Sequence, residues 1–453
     1  MRSASRVLFA VALLVPVAAA LAKGEIPVSD AALFEYYGRA MLRGNRLYLD
    51  LWDNKLPSIY ALNAGLQALF GGRYLVHTLV EAAVTACSTG LFAFVLIRNE
   101  IRSWAPAALA FALFASIPPP SFDSVENFAL FLILLAYALW FSRRTVPAGV
   151  ALALAATFWL PALLMVIPLL DRERERRRQI ALIAGTACTL AVYAVLMVAV
   201  FGAPAIAELM RSWVAYGANS FGGRARAGGR LGIFAPVLNG LITSGAGFLV
   251  ALVAAVAAKP RDPVRRFALV WTLCALAGAV ALGNFYAHYF IPALAPCIFA
   301  IAAFAGERRA TFRGVLFGAL ALFFAVRLIG SDARAIPQAR TGAHTKRIVG
   351  ELVRAVGGDH AVIDVDPYEP AVFLAADADG EDRFGLVPPN VRPPQRPNRA
   401  APAALARLDA EALAPPEAGA RACAHFAGWT IFVPRGARPD VVARCRALAH
   451  ART

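Results

Sequence analysis

The sequence predicts a polytopic α-helical membrane protein of about 10–12 spans, followed by a small C-terminal soluble α/β domain. The 453 residues are 59% hydrophobic and only 16% charged, with a mean hydropathy of +0.59. Soluble domains are about a quarter charged. Long apolar runs recur along 1–330 with short basic runs between them, and from Ser331 onward the composition changes to polar turns and ordinary charge.

The first apolar run follows a basic start, with MRSASR preceding VLFAVALLVPVAAALA. This arrangement is typical of a signal peptide, and a first transmembrane helix at 7–22 fits it equally well. Because further spans follow, we favour an uncleaved first helix.

Later apolar runs predict helices because unpaired backbone groups are costly in lipid. These spans are placed at 75–97, 104–117, 125–141, 179–201, 236–258, 267–282, 290–305 and 314–330. Basic runs such as DRERERRR indicate the cytoplasmic side. The connections expected on the other, exported side are 23–74, 118–124, 202–235, 283–289 and everything after 331. The net charge of +16 comes mainly from the basic connections, so it does not indicate nucleic-acid binding.

Two segments do not fit simple spans. Segment 147–170 is apolar, but basic residues flank both of its ends, and Pro161 and Pro168 interrupt it. A hairpin of two half-helices fits those charges, and one span with an inverted loop is the alternative. Segment 58–70 is too short to cross a bilayer, so we expect an interfacial helix there.

The region 331–453 is predicted to be an exported α/β domain. AVIDV at 361–365 and WTIFV at 429–433 are strand candidates, and 439–449 suits a helix. Cys423 and Cys445 either pair in an oxidising compartment or remain two separate thiols. The chain has no CxxC spacing that would indicate a metal site.

Candidate catalytic residues gather in the first exported loop, where 29–60 contains many acids, bases and aromatics. Asp30 fits a general base at the membrane interface, and on local sequence Ser29 or Asp30 also fits the N-cap of the helix that follows. Lys55 is suited to hold a lipid phosphate as a point charge, or to reach the interface as a snorkelling lysine.

Three other exported connections carry polar residues. Asp123 and Glu126 precede or begin a span, where acids commonly pair with the helix dipole. His288 lies between aromatics, where a histidine is commonly structural. Four arginines among glycines suit either phosphate capture or a solvated loop: Arg211, Arg224, Arg226 and Arg230.

Well-known catalytic motifs of other enzyme classes do not occur in the sequence. It has no Walker A run, no GxSxG and no HExxH. ATP hydrolysis and serine or zinc protease chemistry are therefore disfavoured.

Two stretches resemble the GT-C glycosyltransferases, in the branch that contains protein O-mannosyltransferases and the lipid A aminoarabinose transferase. These are GNRLYLDLWDNKLPSIY at 44–60 and HYFIPALAP at 288–296, and the resemblance covers about residues 1–330. It implies an enzyme of the inner (plasma) membrane that takes a sugar from a polyprenyl-phosphate donor. The implied acceptor is an extracytoplasmic glycan, lipid or protein of the cell envelope.

The resemblance also implies roles for individual residues. Asp30 matches the catalytic aspartate, and Lys55 matches the lysine beside the donor phosphate. The other expected donor-binding or substrate-binding residues are Asp53, Tyr60, Arg224, Arg226 and His288. Ala31 stands where the family has a second acid, so no metal ligand is assigned and a divalent metal remains an open alternative.

Two other functions remain open at this stage. One is a transporter or flippase of lipid-linked sugars, and the other is a non-catalytic envelope assembly protein. Few ionisable residues lie mid-span, since Glu81 and Arg327 are near the ends of their runs. This pattern disfavours a transport pathway.

Overall fold

The computed structural model describes residues 2–23, 29–51, 53–71, 74–116, 124–214, 262–281 and 286–305, together with five strands and scattered helical positions after 236. Its helices are α1 (Arg2–Lys23), α2 (Ser29–Leu42), α3 (Ser58–Phe70), α4 (Tyr74–Arg98), α5 (Trp104–Ser116), α6 (Val125–Phe141), α7 (Thr145–Phe158), α8 (Val166–Arg172), α9 (Arg176–Phe201), α10 (Pro263–Ala281) and α11 (Ile291–Ala305). Two 3-10 segments, Leu160–Met165 and Ala287–Phe290, precede α8 and α11.

The described part is a helical membrane protein. Four helical segments are long and apolar enough to cross a membrane: Ser3–Ala22, Leu75–Arg98, Arg176–Phe201 and Pro263–Ala281. Helices α5, α6, α7 and α11 are apolar but have fewer than the roughly 20 residues that a bilayer requires. Each span predicted within these ranges is confirmed as a helix, whereas 236–258 and 314–330 lie outside the described residues apart from isolated positions.

An aromatic cluster joins three of the helices in the interior. The rings of Tyr137 on α6 and Trp271 on α10 lie 4.6 Å apart, and Phe299 on α11 lies 5.8 Å from Trp271. All three side chains are fully buried. Alanines surround them, which allows the helix backbones to approach closely while the rings fill the space between them.

The basic connections meet at one end of the bundle. Arg172 at the end of α8 donates to Asn99 at 2.5 Å and lies 5.0 Å from the ring of Phe141. Arg266 at the start of α10 pairs with Asp171. The ends of α4, α6 and α8 therefore lie beside the start of α10, as the predicted alternation of charged connections requires.

The hairpin predicted at 147–170 is confirmed. Helix α7 leads away from the basic end, and the chain turns at Trp159 and comes back through the 3-10 segment and α8. Arg178, just after the hairpin, donates to the hydroxyl of Thr145 at 3.3 Å and to the carbonyl of Trp140 at 3.2 Å. Both ends of the segment thus lie on the same side of the bundle, which a single span would prevent.

Helices α2 and α3 form a separate pair in the first connection. A Cβ on Gly38 would lie 2.6 Å from the backbone nitrogen of Ala64, so the two helices touch at backbone distance. Asn63 and Gln67, which we expected on an interfacial helix, are buried instead. The Gln67 amide donates to the Glu35 carbonyl at 3.0 Å. The short helix predicted at 58–70 is therefore confirmed. Its polar side chains pack on α2, which was not predicted.

We expect Gly38→Ala to destabilise the protein by about 1–3 kcal/mol, since the new methyl group would force the α3 backbone away from α2. Gly65→Ala on α3 is the matched control because a Cβ there meets nothing within 4 Å. That control should be neutral or stabilising, by up to about 1 kcal/mol. Thermal unfolding in detergent measures both changes, and equal transition temperatures would contradict the close crossing.

Five strands lie in the C-terminal region: β1 (Val362–Asp366), β2 (Asp379–Gly380), β3 (Ala404–Leu408), β4 (Arg421–Phe426) and β5 (Trp429–Val433). They form one mixed sheet in the order β2-β1-β3-β5-β4. Strand β1 pairs in parallel with β2 and β3, while β5 is antiparallel to β3 and β4. The strands predicted at 361–365 and 429–433 are confirmed. The helix at 439–449 (apart from isolated positions) and the pairing of Cys423 with Cys445 fall outside the described residues.

Candidate functional site

The site lies at the end of the bundle opposite the basic connections. Helix α2 places Asp30 in its first turn, and the 3-10 segment before α11 places His288 beside it. The Oδ2 atom of Asp30 lies 3.9 Å from Nε2 of His288. The predicted cap is wrong in its position, since α2 already begins at Ser29 and Asp30 lies inside the helix. A carboxylate in the first turn is favoured by the helix dipole.

His288 is held by aromatic neighbours on both sides. Its ring stacks on Tyr286 with centroids 5.6 Å apart, and it meets Tyr289 edge-on at 4.7 Å. The side chain is 17% exposed, compared with 38% for Asp30. A structural role was the alternative for this histidine, and the packing of its ring fits that role, while its Nε2 atom lies 3.9 Å from Asp30.

Lys55 lies in the same part of the structure. Its Nζ is 5.0 Å from the centre of the Phe34 ring, one helical turn after Asp30 on α2. Asp53 supplies the counter-charge, with Oδ2 4.0 Å from Nζ. A cation over an aromatic face is stabilised without losing its charge, so Lys55 is held here as an ammonium ion and is only 19% exposed.

Asp53 and Tyr60 fix the position of that lysine. The buried hydroxyl of Tyr60 donates to Oδ2 of Asp53 at 2.6 Å. Burial, followed by the charge of Asp53, raises the pKa of the Tyr60 phenol well above its usual range, so the phenol remains a donor at physiological pH. Both residues were predicted to bind substrate, and the structure places them behind Lys55 as its support.

The backbone around Lys55 is also tied down. The Tyr48 hydroxyl donates to the Lys55 carbonyl at 2.6 Å. The indole N–H of Trp213, from the helical stretch 203–214 after α9, donates to the Asn54 carbonyl at 2.5 Å. Tyr48 has a φ of 68°, a left-handed conformation that is unfavourable for a bulky residue. Such strain is retained where surrounding contacts over-determine the backbone, commonly at functional sites.

Glu126 is a further acidic residue of the site, although its place in the sequence indicated only a helix-dipole role. It lies in the first turn of α6 and is 1% exposed. It interacts electrostatically with His288, Lys55 and Asp30. Neither of its carboxylate oxygens has a hydrogen-bond partner among the residues that the structure describes. The position of Glu126 at the predicted exported start of the span 125–141 was the available sequence signal.

We expect Tyr60→Phe to destabilise the protein by about 1–3 kcal/mol and to weaken any anion binding at Lys55, because Asp53 would lose its buried hydroxyl donor. The matched control is Tyr137→Phe in the aromatic cluster between α6, α10 and α11. It removes a buried hydroxyl that donates to the Met165 carbonyl at 3.0 Å. The control should lose comparable stability and keep its affinity for inorganic phosphate or lipid phosphate. An equal effect of both variants on binding would contradict the supporting role of Tyr60.

Other predicted residues are not brought into the site by the described structure. Arg211 pairs with Glu208 at 3.0 Å and is exposed. Arg224, Arg226, Arg230 and Asp123 lie outside the described residues. Within the part of the chain that the structure describes, no group of three or more histidine, cysteine, aspartate or glutamate residues is arranged to hold a metal ion.

The chain matches no known protein-family model and no curated protein.

Proposed function

We propose that this protein is a membrane glycosyltransferase that moves a sugar from a polyprenyl-phosphate donor to an acceptor on the extracytoplasmic side. The observation that carries the proposal is the convergence of Asp30, Lys55 and His288 from two distant parts of the chain. The site lies next to apolar helices that suit a lipid tail. The sequence resemblance proposes the same two principal residues, Asp30 and Lys55.

Each group has a defined task in this reaction. Asp30 takes the proton from the acceptor hydroxyl or amine, which then attacks the anomeric carbon of the sugar. The bond between that carbon and the phosphate oxygen breaks, and its electron pair leaves with the polyprenyl phosphate. Lys55 neutralises the additional negative charge on this leaving group. His288 stands beside Asp30, where it orients the carboxylate.

The proposal extends to the architecture around the site. We propose a GT-C-like arrangement of about 10–12 membrane segments, embedded in the inner membrane with the site on the extracytoplasmic face. The five strands after 361 support a folded C-terminal domain within 331–453, for which we propose an exported location. The basic end of the bundle would then be cytoplasmic, as the positive-inside rule expects.

A transporter or flippase is the alternative from another class. Buried ionisable groups would be expected along its pathway. In the described α4, the buried His77 and Glu81 both lie within the first two turns, and the Asn127 amide donates to Glu81. These groups are concentrated near one end of the helix, which favours a local site over a continuous pathway.

Direct turnover tests the proposal. The purified protein in liposomes receives radiolabelled decaprenyl phosphates carrying mannose, arabinose or N-acetylglucosamine, together with a cell-envelope extract as acceptor. We expect release of decaprenyl phosphate and transfer of the label for at least one sugar. Movement of intact donor across the bilayer without cleavage would instead indicate a flippase. If neither transfer nor movement of the donor is observed, both functions are overturned.

A further inference from the structure

Burial of the Glu126 carboxylate destabilises the fold unless a ligand pairs with it. A buried carboxylate is normally paired or hydrogen-bonded, because removing it from water is unfavourable. At 1% exposure, both oxygens of Glu126 lack a hydrogen-bond partner within the described residues. Within the described residues, these two acceptor atoms are therefore buried and unpaired.

The surroundings of Glu126 identify what these acceptors would bind. His288 and Lys55 are the nearby groups that favour its charge, and Asp30 opposes it. A positively charged group of a ligand would be repelled by the Lys55 ammonium, and a negatively charged group placed beside Glu126 would be repelled by Glu126 and Asp30. Neutral hydroxyl groups beside Glu126 avoid both repulsions. Two adjacent hydroxyls, each donating to one carboxylate oxygen, would satisfy both unpaired atoms.

The position of Lys55 identifies which hydroxyls these are, on the premise of the proposed function. The donor phosphate at Lys55 is bonded directly to the anomeric carbon, so the transferred sugar lies within one bond of the phosphate. The residues beside Glu126 on α6, Val125 and Phe128, belong to the same buried cluster as Phe34 and Tyr60 of the site. This places Glu126 near Lys55 and Asp30, the proposed phosphate-binding and base residues. We propose that Glu126 binds two adjacent hydroxyl groups of the transferred sugar and thereby selects the sugar of the donor.

Two short-chain lipids separate this role from phosphate binding. Farnesyl phosphate carries the phosphate without a sugar, and farnesyl phosphates of mannose, arabinose or N-acetylglucosamine carry both. Tryptophan fluorescence titration of the full-length protein in detergent gives each dissociation constant. We expect the wild type to bind at least one sugar-bearing lipid about tenfold more tightly than farnesyl phosphate. Glu126→Gln should remove that difference and leave the affinity for farnesyl phosphate within about twofold.

Controls distinguish the possible failures. Glu208→Gln, which changes another largely buried glutamate, should alter neither affinity, because that residue pairs with Arg211 outside the site. If the wild type binds neither kind of lipid, the proposed function fails. If it binds both kinds equally, or if Glu126→Gln weakens both kinds equally, the sugar-binding role of Glu126 fails while the lipid-phosphate site stands.

The thermal stability of the same variant provides an independent readout. A carboxylate that is kept for binding costs stability, so Glu126→Gln should unfold at the wild-type temperature or above it. A purely structural carboxylate would behave in the opposite way. A transition temperature several degrees below that of the wild type would therefore overturn the inference.

Discussion

Asp30→Asn is expected to reduce sugar transfer by about 10³-fold, since a positioned general base contributes roughly 10²–10⁴-fold to a rate. The amide keeps the size of the side chain but does not accept the proton of the acceptor. Asp30 is 38% exposed and lies 3.9 Å from His288, so we expect the fold to tolerate the substitution. The loss should appear in kcat, with the KM for the donor nearly unchanged.

Asp50→Asn is the matched control for this variant. Asp50 lies in the same loop and pairs with Arg46 at 3.0 Å on the surface. Exposed pairs of this kind contribute about 0–1 kcal/mol to stability, so the control should keep its activity and its transition temperature. Full activity in Asp30→Asn would remove the general base from the account, and equal losses in both variants would point to a general defect of the loop.

Lys55→Met is expected to weaken binding of the lipid-phosphate donor by about 10–100-fold, which corresponds to the loss of a charged hydrogen bond of about 1.5–3 kcal/mol. The apolar chain still fits against Phe34. Asp53 keeps two donors, the Tyr60 hydroxyl and the Asn54 backbone N–H, so the loop should remain folded. The effect should appear in the dissociation constant for farnesyl phosphate, measured by fluorescence titration.

Arg46→Met removes a positive charge from the same loop without touching the site, because Arg46 is exposed and pairs with Asp50. Its affinity for farnesyl phosphate should be that of the wild type at physiological ionic strength, where exposed charges are screened beyond about 8 Å. If Arg46→Met weakens binding as much as Lys55→Met, the anion is attracted by the overall charge of the loop and not by Lys55.

Much of the helical frame follows from the sequence because apolar length and basic connections are direct consequences of the bilayer. The hairpin at 147–170 is the clearest case, since the charges at its two ends required a return to the same side. The burial of the polar side chains on α3 does not follow from hydropathy. Asn63 and Gln67 are buried, and Gln67 donates to the Glu35 carbonyl on α2, which depends on packing between two helices that a loop separates.

The site was only partly predictable for a different reason. Asp30 and Lys55 stand out because charged residues are rare in this chain. The support of Lys55 by Asp53 and Tyr60, and the burial of Glu126, depend on packing between segments that are far apart in sequence. An acid at the start of an apolar helix is common, so the sequence alone did not distinguish Glu126 from an ordinary helix-dipole partner.

Electron cryo-microscopy of the protein with farnesyl phosphate bound tests the central claim most directly. We predict that the phosphate lies within hydrogen-bond distance of the Lys55 Nζ atom, on the side that faces Asp30 and His288. The farnesyl chain should extend along the apolar surface of the helix bundle. A phosphate bound instead at the opposite end of the bundle, among the basic residues at 171–178, would contradict the account.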